Sequence, residues 1–337
     1  MSDKTVAILG ATGVVGTQML QCLEERDFPV GRLVPLASAR SIGKTVPFHG
    51  GQVPVVEAAP DAFEGVDIVL GAAGDEQAKA LLPEAAKRGA VCVDNSHAFR
   101  LDEDVPLVIP EINPEDIANH PRNIISNPNC ATIIGLVPTW PLHMVAGLRR
   151  LIVSTYQAAS GAGMPGLREL QREMGVLVNG GEMGETSPFA YQLAANLIPQ
   201  IGGFQGEGYT SEEWKMQNEG RKIMHLPEVR VNCTCVRVPV MRSHSESITA
   251  EFERPITPDE ARDILSKAPG VKVVDDPENL RYPMPLDTSD QDLVFVGRIR
   301  YDLSAPDDVS SVSFFCCGDQ IRKGAATNAV QIAEYLV

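Results

Sequence analysis

"TVAILGATGVVGTQML", residues Thr5 to Leu20, joins a β-branched apolar run to a glycine-spaced turn and then to a helical pattern, and its reading decides the fold. Thr5 to Leu9 reads as a buried strand, and Val14 to Arg26 carries apolar residues at helical spacing. Gly10, Gly13 and Gly16 fall between and into them. Glycines placed this way let the backbone turn tightly and approach a pyrophosphate, whose charge then meets the amides and dipole of the helix amino end. The spacing has one residue more between the first two glycines than the usual dinucleotide fingerprint, and a plain strand-to-helix turn is the other reading. Position at the start of the chain, after a strand and before a helix, favours the cofactor loop. The second strand ends in "ASARS", Ala37 to Ser41, without the acidic side chain that NAD-selective folds place on the ribose 2′-hydroxyl. Ser38, Arg40 and Ser41 suit a 2′-phosphate, so NADP is expected over NAD; the plainer reading of Arg40 is a solvated loop residue.

Further strands are expected at Leu33 to Ala37, Asp67 to Ala72, Ala90 to Asp94 and Asn123 to Ser126, with a second helix over Asp75 to Gly89. Strand and helix in repetition mean a parallel sheet covered on both faces, so residues 1–128 are expected to form a Rossmann-like nucleotide-binding domain. Beyond it the strands lengthen and alternate: Arg150 to Ser160, Asn232 to Val240, Glu246 to Glu253, Leu293 to Ser304 and Ser311 to Cys317. Residues 129–321 therefore read as an α+β domain with a mostly antiparallel or mixed sheet. The closing stretch, Arg322 to Val337, is an amphipathic helix expected to return onto the first domain. Gly180 to Gly184 and Ile201 to Thr210 read as glycine-rich loops. A chain of 337 residues accommodates two such domains.

Composition narrows the partners. A formal net charge of -15 argues against nucleic acid and anionic membranes, which would repel the chain at long range. No apolar run approaches the length of a membrane span, and the amino terminus lacks a signal-peptide pattern, so a cytoplasmic protein is expected. The seven cysteines show no C-x-x-C spacing, which disfavours a zinc site or a disulfide framework; no metal is expected.

One cysteine stands apart. In "SNPNC", Ser126 to Cys130, the residue is a buried filler, a metal ligand or a nucleophile. Pro128 disfavours helix before it, Asn129 is suited to cap, and the apolar run from Ala131 follows, although Pro138 and Pro141 complicate a helix there. A helix amino end stabilises a thiolate, and Cys130 would stand where the two domains meet. Cys22, Cys92, Cys233, Cys235, Cys316 and Cys317 lie within helix or strand patterns and read as packed small hydrophobes. A nucleophilic thiol beside a nicotinamide points to aldehyde oxidation through an acyl thioester, or its reverse. That chemistry needs a proton-handling group. His244 in "RVPVMRSHS" follows a strand that ends in a turn and is the leading candidate, with His97 its rival.

Six stretches, "GATGVVG", "DNSHAFR", "SNPNCATI", "TYQAASGAG", "RVPVMRSHS" and "DQIRKGAATNAVQIAE", resemble aspartate-β-semialdehyde dehydrogenases in order and spacing along essentially the whole chain. The resemblance implies NADPH-dependent reduction of L-aspartyl 4-phosphate to L-aspartate 4-semialdehyde with release of phosphate, on the route to lysine, methionine and threonine. It assigns Cys130 as the thioester nucleophile, Gln157 as the residue orienting the substrate, and His244 as the acid/base, a task suited to a pKa near neutrality. It gives Arg237 the α-carboxylate, Arg100 and Lys215 the phosphate and Glu212 the ammonium; read without the family, Glu212 and Lys215 are an ordinary surface pair. It places Thr12, Gly13, Val14, Val15, Arg40, Ser41, Ser160, Gly161 and Gln320 on NADP, and it implies a homodimer or homotetramer. Three departures stand out: His97 where serine is common, Ser243 where glycine is usual, and Asp75 and Glu76 in a loop otherwise rich in glycine and serine. N-acetyl-γ-glutamyl-phosphate reductase, whose cysteine context differs, a related acyl-CoA reductase and a non-catalytic NADP(H)-binding paralogue are the alternatives.

Overall fold

A computed structural model describes residues 3–337, in which the chain forms two compact units, residues up to Asn129 with Gly324–Val337, and Cys130–Lys323. The first unit runs β1 (Lys4–Leu9), α1 (Val14–Glu25), β2 (Val30–Ala37), β3 (Thr45–Phe48), β4 (Gly51–Pro54), β5 (Val56–Glu57), β6 (Ile68–Gly71), α2 (Asp75–Lys87), β7 (Val91–Asp94) and β8 (Ile124–Ser126). Its sheet has the order β5-β2-β1-β6-β7-β8 and every pairing is parallel. Alternation along β1 serves two cores at once. Val6 and Ile8 pack with Met19 and Leu23 of α1, whereas Ala7 and Leu9 pack with Ala78 and Leu82 of α2. Burial on both faces is why the strand reads as a continuous apolar run.

The second unit holds α3 (Cys130–Ala146), β9 (Leu148–Gln157), α4 (Gly163–Asn179), α5 (Ser211–Ile223), β10 (Arg230–Arg237), β11 (His244–Phe252), α6 (Pro258–Ser266), β12 (Val271–Val273), α7 (Pro285–Thr288), β13 (Val294–Tyr301) and β14 (Ser310–Gly318). Its sheet order is β10-β9-β11-β14-β13-β12; β9 with β10 and β12 with β13 are parallel and the remaining pairs antiparallel. Thr210 and Thr257 cap α5 and α6, each exchanging hydrogen bonds with a glutamate three residues on, so both helices start at a capping box. α3 continues through Pro138 and Pro141. Pro138 has no N–H for the Ile134 carbonyl, and the Cys316 thiol lies 3.8 Å from that oxygen as a weak donor.

The chain then turns through a π-helical segment, Arg322–Ala326, into α8 (Thr327–Glu334), which is shorter than the uniform helix expected from Arg322. α8 packs within the first unit: Asn328 Nδ2 donates to Asn127 Oδ1 at 2.7 Å, and Arg26 makes a two-pronged contact with Glu334.

Candidate active site

In the first unit Gly10 closes β1 at φ +92°, a conformation costly for any residue with a Cβ. A Cβ on Gly16 would lie 2.2 Å from the Gly10 carbonyl oxygen, so only glycine lets α1 begin this close to the end of the strand. Gly13 is the helix N-cap and offers no side-chain cap, which leaves the amides of Val14, Val15 and Gly16 directed at whatever lies before the helix. Thr12 Oγ1 lies 3.4 Å from Ser41 Oγ, joining this loop to the short turn after β2. That turn, Ala39–Ser41 with Ser38 before it, carries Arg40 exposed and no acidic residue. Amide donors, hydroxyls and one arginine fit a dinucleotide with an added 2′-phosphate. Also in this unit, Arg100 is buried and donates from Nη2 to the Asn95 carbonyl at 2.8 Å. Asp75 opens α2 and accepts the His97 N–H at 2.8 Å, so the acid that departs from the family pattern sits on a helix amino end.

In the second unit strand register assembles the candidates. Gln157 ends β9, Arg237 ends β10 directly beside it, and β11 begins at His244 one step from the pairing of Ser245 with Tyr156. Three side chains from three strands thus meet at one end of the sheet. Glu212 from α5 joins them: its Oε1 accepts from Gln157 Nε2 at 3.2 Å and its Oε2 from Lys215 Nζ at 2.8 Å. Glu212 and Lys215 are a pair three residues apart, but the Glu212 side chain is only 9% exposed, which departs from the surface pair of the plainer reading. Arg237 Nη1 donates to the Ala158 carbonyl at 2.6 Å, and its guanidinium stands 5.8 Å over the Phe189 ring. Burial holds the Arg237 pKa below its ordinary value, with Glu212 and Cys130 opposing that shift. Cys130 is half-buried at the first position of α3, whose opening turn has no acidic residue.

His244 is fully buried, and burial, then Arg237, push its pKa down to about 3 against the pull of Glu212. The expectation of a near-neutral pKa therefore fails for the resting site. Sequence could not show this, because desolvation of the imidazole depends on what packs over it. The backbone N–H of Ala158 donates to Nδ1 at 3.0 Å, so the ring proton resides on Nε2. Gln157 Nε2 lies 3.4 Å from that atom. Both are donors, and an oxygen set against them would accept from each. One Gln157 amide hydrogen goes to Glu212 and the other remains for that oxygen, while Thr155 Oγ1 donates to Gln157 Oε1 at 3.0 Å.

Gly161 lies against this cluster; a Cβ there would come within 2.7 Å of Arg237 Nη1 and 3.1 Å of His244 Cε1. Gln320 Oε1 accepts the Ser243 N–H at 2.8 Å, and its amide nitrogen donates to Ser160 Oγ. Ser243 has φ +72°, the conformation for which glycine is the easier residue. Thr155 and Phe189 were not singled out by sequence, whereas Ser243 was, as a departure from glycine. Thr155 was accessible to it, since it shares a strand face with Gln157 two residues on. None of the seven cysteines is in a disulfide, and among the described residues no cluster of metal-ligating side chains occurs and no helix is long and apolar enough to cross a membrane.

A parallel-sheet nucleotide unit followed by a mixed-sheet unit that carries a thiol at a helix start is the plan of the semialdehyde dehydrogenases, and family models bear this out. The NAD binding domain of semialdehyde dehydrogenase matches residues 5–120 and its dimerisation domain residues 140–323. Aspartate-semialdehyde dehydrogenase from Aquifex aeolicus is 49% identical over 98% of this chain and 97% of its own length, and that from Bacillus subtilis 47% identical over 98% and 96%. The crystal structure of the Vibrio cholerae aspartate semialdehyde dehydrogenase II complexed with ASA superposes with a TM-score of 0.96 at 44% identity over 100% of this chain and 98% of that one. The Candida albicans enzyme with NADP gives a TM-score of 0.78 at 25% identity over 99% and 98%. The chain belongs to the aspartate-semialdehyde dehydrogenase family.

Proposed function

We propose that this protein reduces L-aspartyl 4-phosphate to L-aspartate 4-semialdehyde and phosphate with NADPH, through an acyl thioester on Cys130, as a cytoplasmic enzyme of lysine, methionine and threonine biosynthesis. The observation that carries the reading is the meeting of Gln157, Arg237, His244 and Glu212 at one end of the second unit's sheet. The Cys130 thiolate attacks the acyl carbon, the carbon–oxygen bond to phosphate breaks, and phosphate leaves with the electron pair. The thioester on Cys130 would become a thiohemiacetal oxyanion by taking the hydride that NADPH would supply when bound. Collapse of that oxyanion breaks the carbon–sulfur bond and returns the thiolate. His244 Nε2–H and Gln157 Nε2–H serve the oxyanion as two converging donors. Full proton transfer from a neutral imidazole would leave an imidazolate, so the acid/base role narrows to hydrogen-bond donation in the resting protonation state.

Arg237 suits the α-carboxylate, which a guanidinium binds with two parallel hydrogen bonds, and Glu212 suits the ammonium. Lys215, and Arg100 in the first unit, supply positive charge for the phosphate. In the first unit Gly10, Thr12, Gly13, Val14, Val15 and Gly16 would hold the cofactor pyrophosphate, with Ser38, Arg40 and Ser41 at the 2′-phosphate. Ser160, Gly161 and Gln320 are the assigned contacts in the second unit. The half-exposed face of that unit's sheet, where Tyr156 and Phe315 sit 6.2 Å apart, supports a homodimer or homotetramer; a monomer by light scattering at micromolar concentration would remove that assembly.

Absorbance at 340 nm tests the reaction with NADP, L-aspartate 4-semialdehyde and phosphate, against NAD and N-acetylglutamate 5-semialdehyde. Phosphate-dependent NADPH formation with the aspartyl aldehyde, lost in Cys130→Ala while NADPH still binds, is expected. Activity confined to the acetylated aldehyde, or silence with NADPH binding intact, would overturn the reading.

A further inference from the structure

The segment that follows α4 meets Arg237 twice. At Ile198 its backbone pairs with Arg237 itself: the Ile198 N–H donates to the Arg237 carbonyl at 3.0 Å, and the Arg237 N–H returns to the Ile198 carbonyl at 2.9 Å. At Phe189 the aromatic ring lies 5.8 Å from the Arg237 guanidinium, within reach of its attraction for a cation. Between these two points Glu173, a fully buried residue of α4, fastens the segment. Its Oε2 accepts the N–H of Leu193 at 2.8 Å and that of Ala194 at 2.7 Å. Taking a carboxyl out of water is costly, and two backbone donors offset that cost here. Leu193, Ala194 and Ile198 form a small apolar cluster with Ala159 and Leu170, and Phe189 packs against it. Gly166 lets α4 come this close: a Cβ there would stand 2.4 Å from the Ala159 carbonyl oxygen and 3.0 Å from Phe189 Cζ.

The geometry points to Phe189 and Glu173 as positioning residues for Arg237. Arg237 Nη1 is committed to the Ala158 carbonyl, which fixes one edge of the guanidinium, and the Phe189 ring limits where its plane can swing. The remaining N–H groups are then held ready for a carboxylate, which takes two of them in parallel. Glu173 acts at one remove, by holding Leu193 and Ala194 and so the cluster on which Phe189 packs. A long side chain fixed before binding loses less freedom when the ligand arrives, so the effect falls on affinity and not on the chemical step. This inference rests on Arg237 binding the substrate α-carboxylate.

Steady-state kinetics with L-aspartate 4-semialdehyde, phosphate and NADP test it, with circular dichroism to verify folding. Phe189→Leu keeps an apolar side chain and removes the ring. It should raise KM for the aldehyde by about three- to tenfold, the scale of ordering one long side chain, and leave kcat and the KM of phosphate and NADP near wild type. Glu173→Ala should do the same, and Glu173→Gln, whose side-chain oxygen can still accept both amides, should recover most of the loss. Combining Glu173→Ala with Phe189→Leu should add little to either alone, because both act through one contact. Wild-type KM for the aldehyde in Phe189→Leu would overturn the inference, as would a fall confined to kcat; this variant decides the matter even if Glu173→Ala does not fold. Arg237→Lys separates the two levels. If its KM for the aldehyde is that of the wild type, the assignment of Arg237 fails, whereas if its KM rises and that of Phe189→Leu does not, only the positioning role fails.

Discussion

Replacing His244 by glutamine should change how the stability of the second unit depends on pH. Folding takes the imidazole from an unfolded pKa of about 6.5 to about 3 in the native site, so between these values the unfolded chain binds the extra proton. A group held below its unfolded pKa in this way leaves stability intact above pH 6.5 and erodes it as pH falls. With about 1.4 kcal/mol per pH unit in that window, the wild type should lose about 2 kcal/mol between pH 7.5 and pH 5 through His244 alone. Glutamine does not titrate, and its side-chain oxygen can still accept the Ala158 N–H that now meets Nδ1. Urea denaturation at a series of pH values measures the difference. Trp140 and Trp214 both lie in the second unit, so tryptophan fluorescence follows the unit that contains the substitution. The wild type should become progressively less stable relative to His244→Gln as pH falls, and nitrogen-15 shifts of the ring should report an Nε2–H imidazole at pH 6. Parallel stability curves for the two proteins, or a ring that protonates near pH 6.5, would refute the burial argument and restore the near-neutral acid/base role.

Gly161→Ala puts a methyl group 2.7 Å from Arg237 Nη1 and 3.1 Å from His244 Cε1, and kcat/KM should fall by about tenfold or more through displaced groups; unchanged kinetics would mean that the cluster yields freely. Gly16→Ala sets a Cβ 2.2 Å from a backbone oxygen that cannot rotate away, so NADPH affinity by fluorescence titration should drop and thermal stability fall by about 1–3 kcal/mol, despite the better helix propensity of alanine. Ser243→Gly removes the penalty of φ +72° but also the contact of Ser243 Oγ with Ser289 Oγ at 3.1 Å, two effects of about 1 kcal/mol and opposite sign. Its unfolding free energy should therefore stay within about 1 kcal/mol of wild type, and a larger loss would show that the hydroxyl contact dominates.

The first unit was legible because each buried parallel strand is a short β-branched run, and because glycine is the residue that the end of β1 demands. The β3–β4 hairpin escaped notice: His49 and Gly50 both take positive φ at its turn, and His-Gly is a weak hairpin signal. α4 begins with Gly163, Met164 and Pro165, which carry no side-chain capping signal, while the capping boxes at Thr210 and Thr257 were readable signals for α5 and α6. Of the candidate site, residue types and the order of motifs were visible in the chain. Burial was not, and burial decides the charge state of His244 and turns Glu212 with Lys215 from a surface pair into a sequestered one.

What a pattern reading treats as error gathers around the proposed chemistry. Alternation along β11 buries Glu246, Ile248, Ala250 and Phe252, and a glutamate is the wrong residue for that series. Gly135 and Pro138, both unfavourable inside a helix, lie within the helix that carries Cys130, and Ser243 holds a left-handed conformation immediately before His244. Elsewhere in the second unit α5 and α6 follow local rules, each starting at a capping box. Sequences that specify one fold agree across levels, and violations that persist tend to fall where function requires them. Glu246 is the informative case, because Gly135 opposite it supplies the room that its carboxyl occupies. Glu246→Gln removes only the ability to ionise. If that variant is more stable than the wild type at pH 7.5 and equal to it near pH 4, the native carboxyl carries its proton in the fold, since a raised pKa penalises the folded state only above the unfolded value.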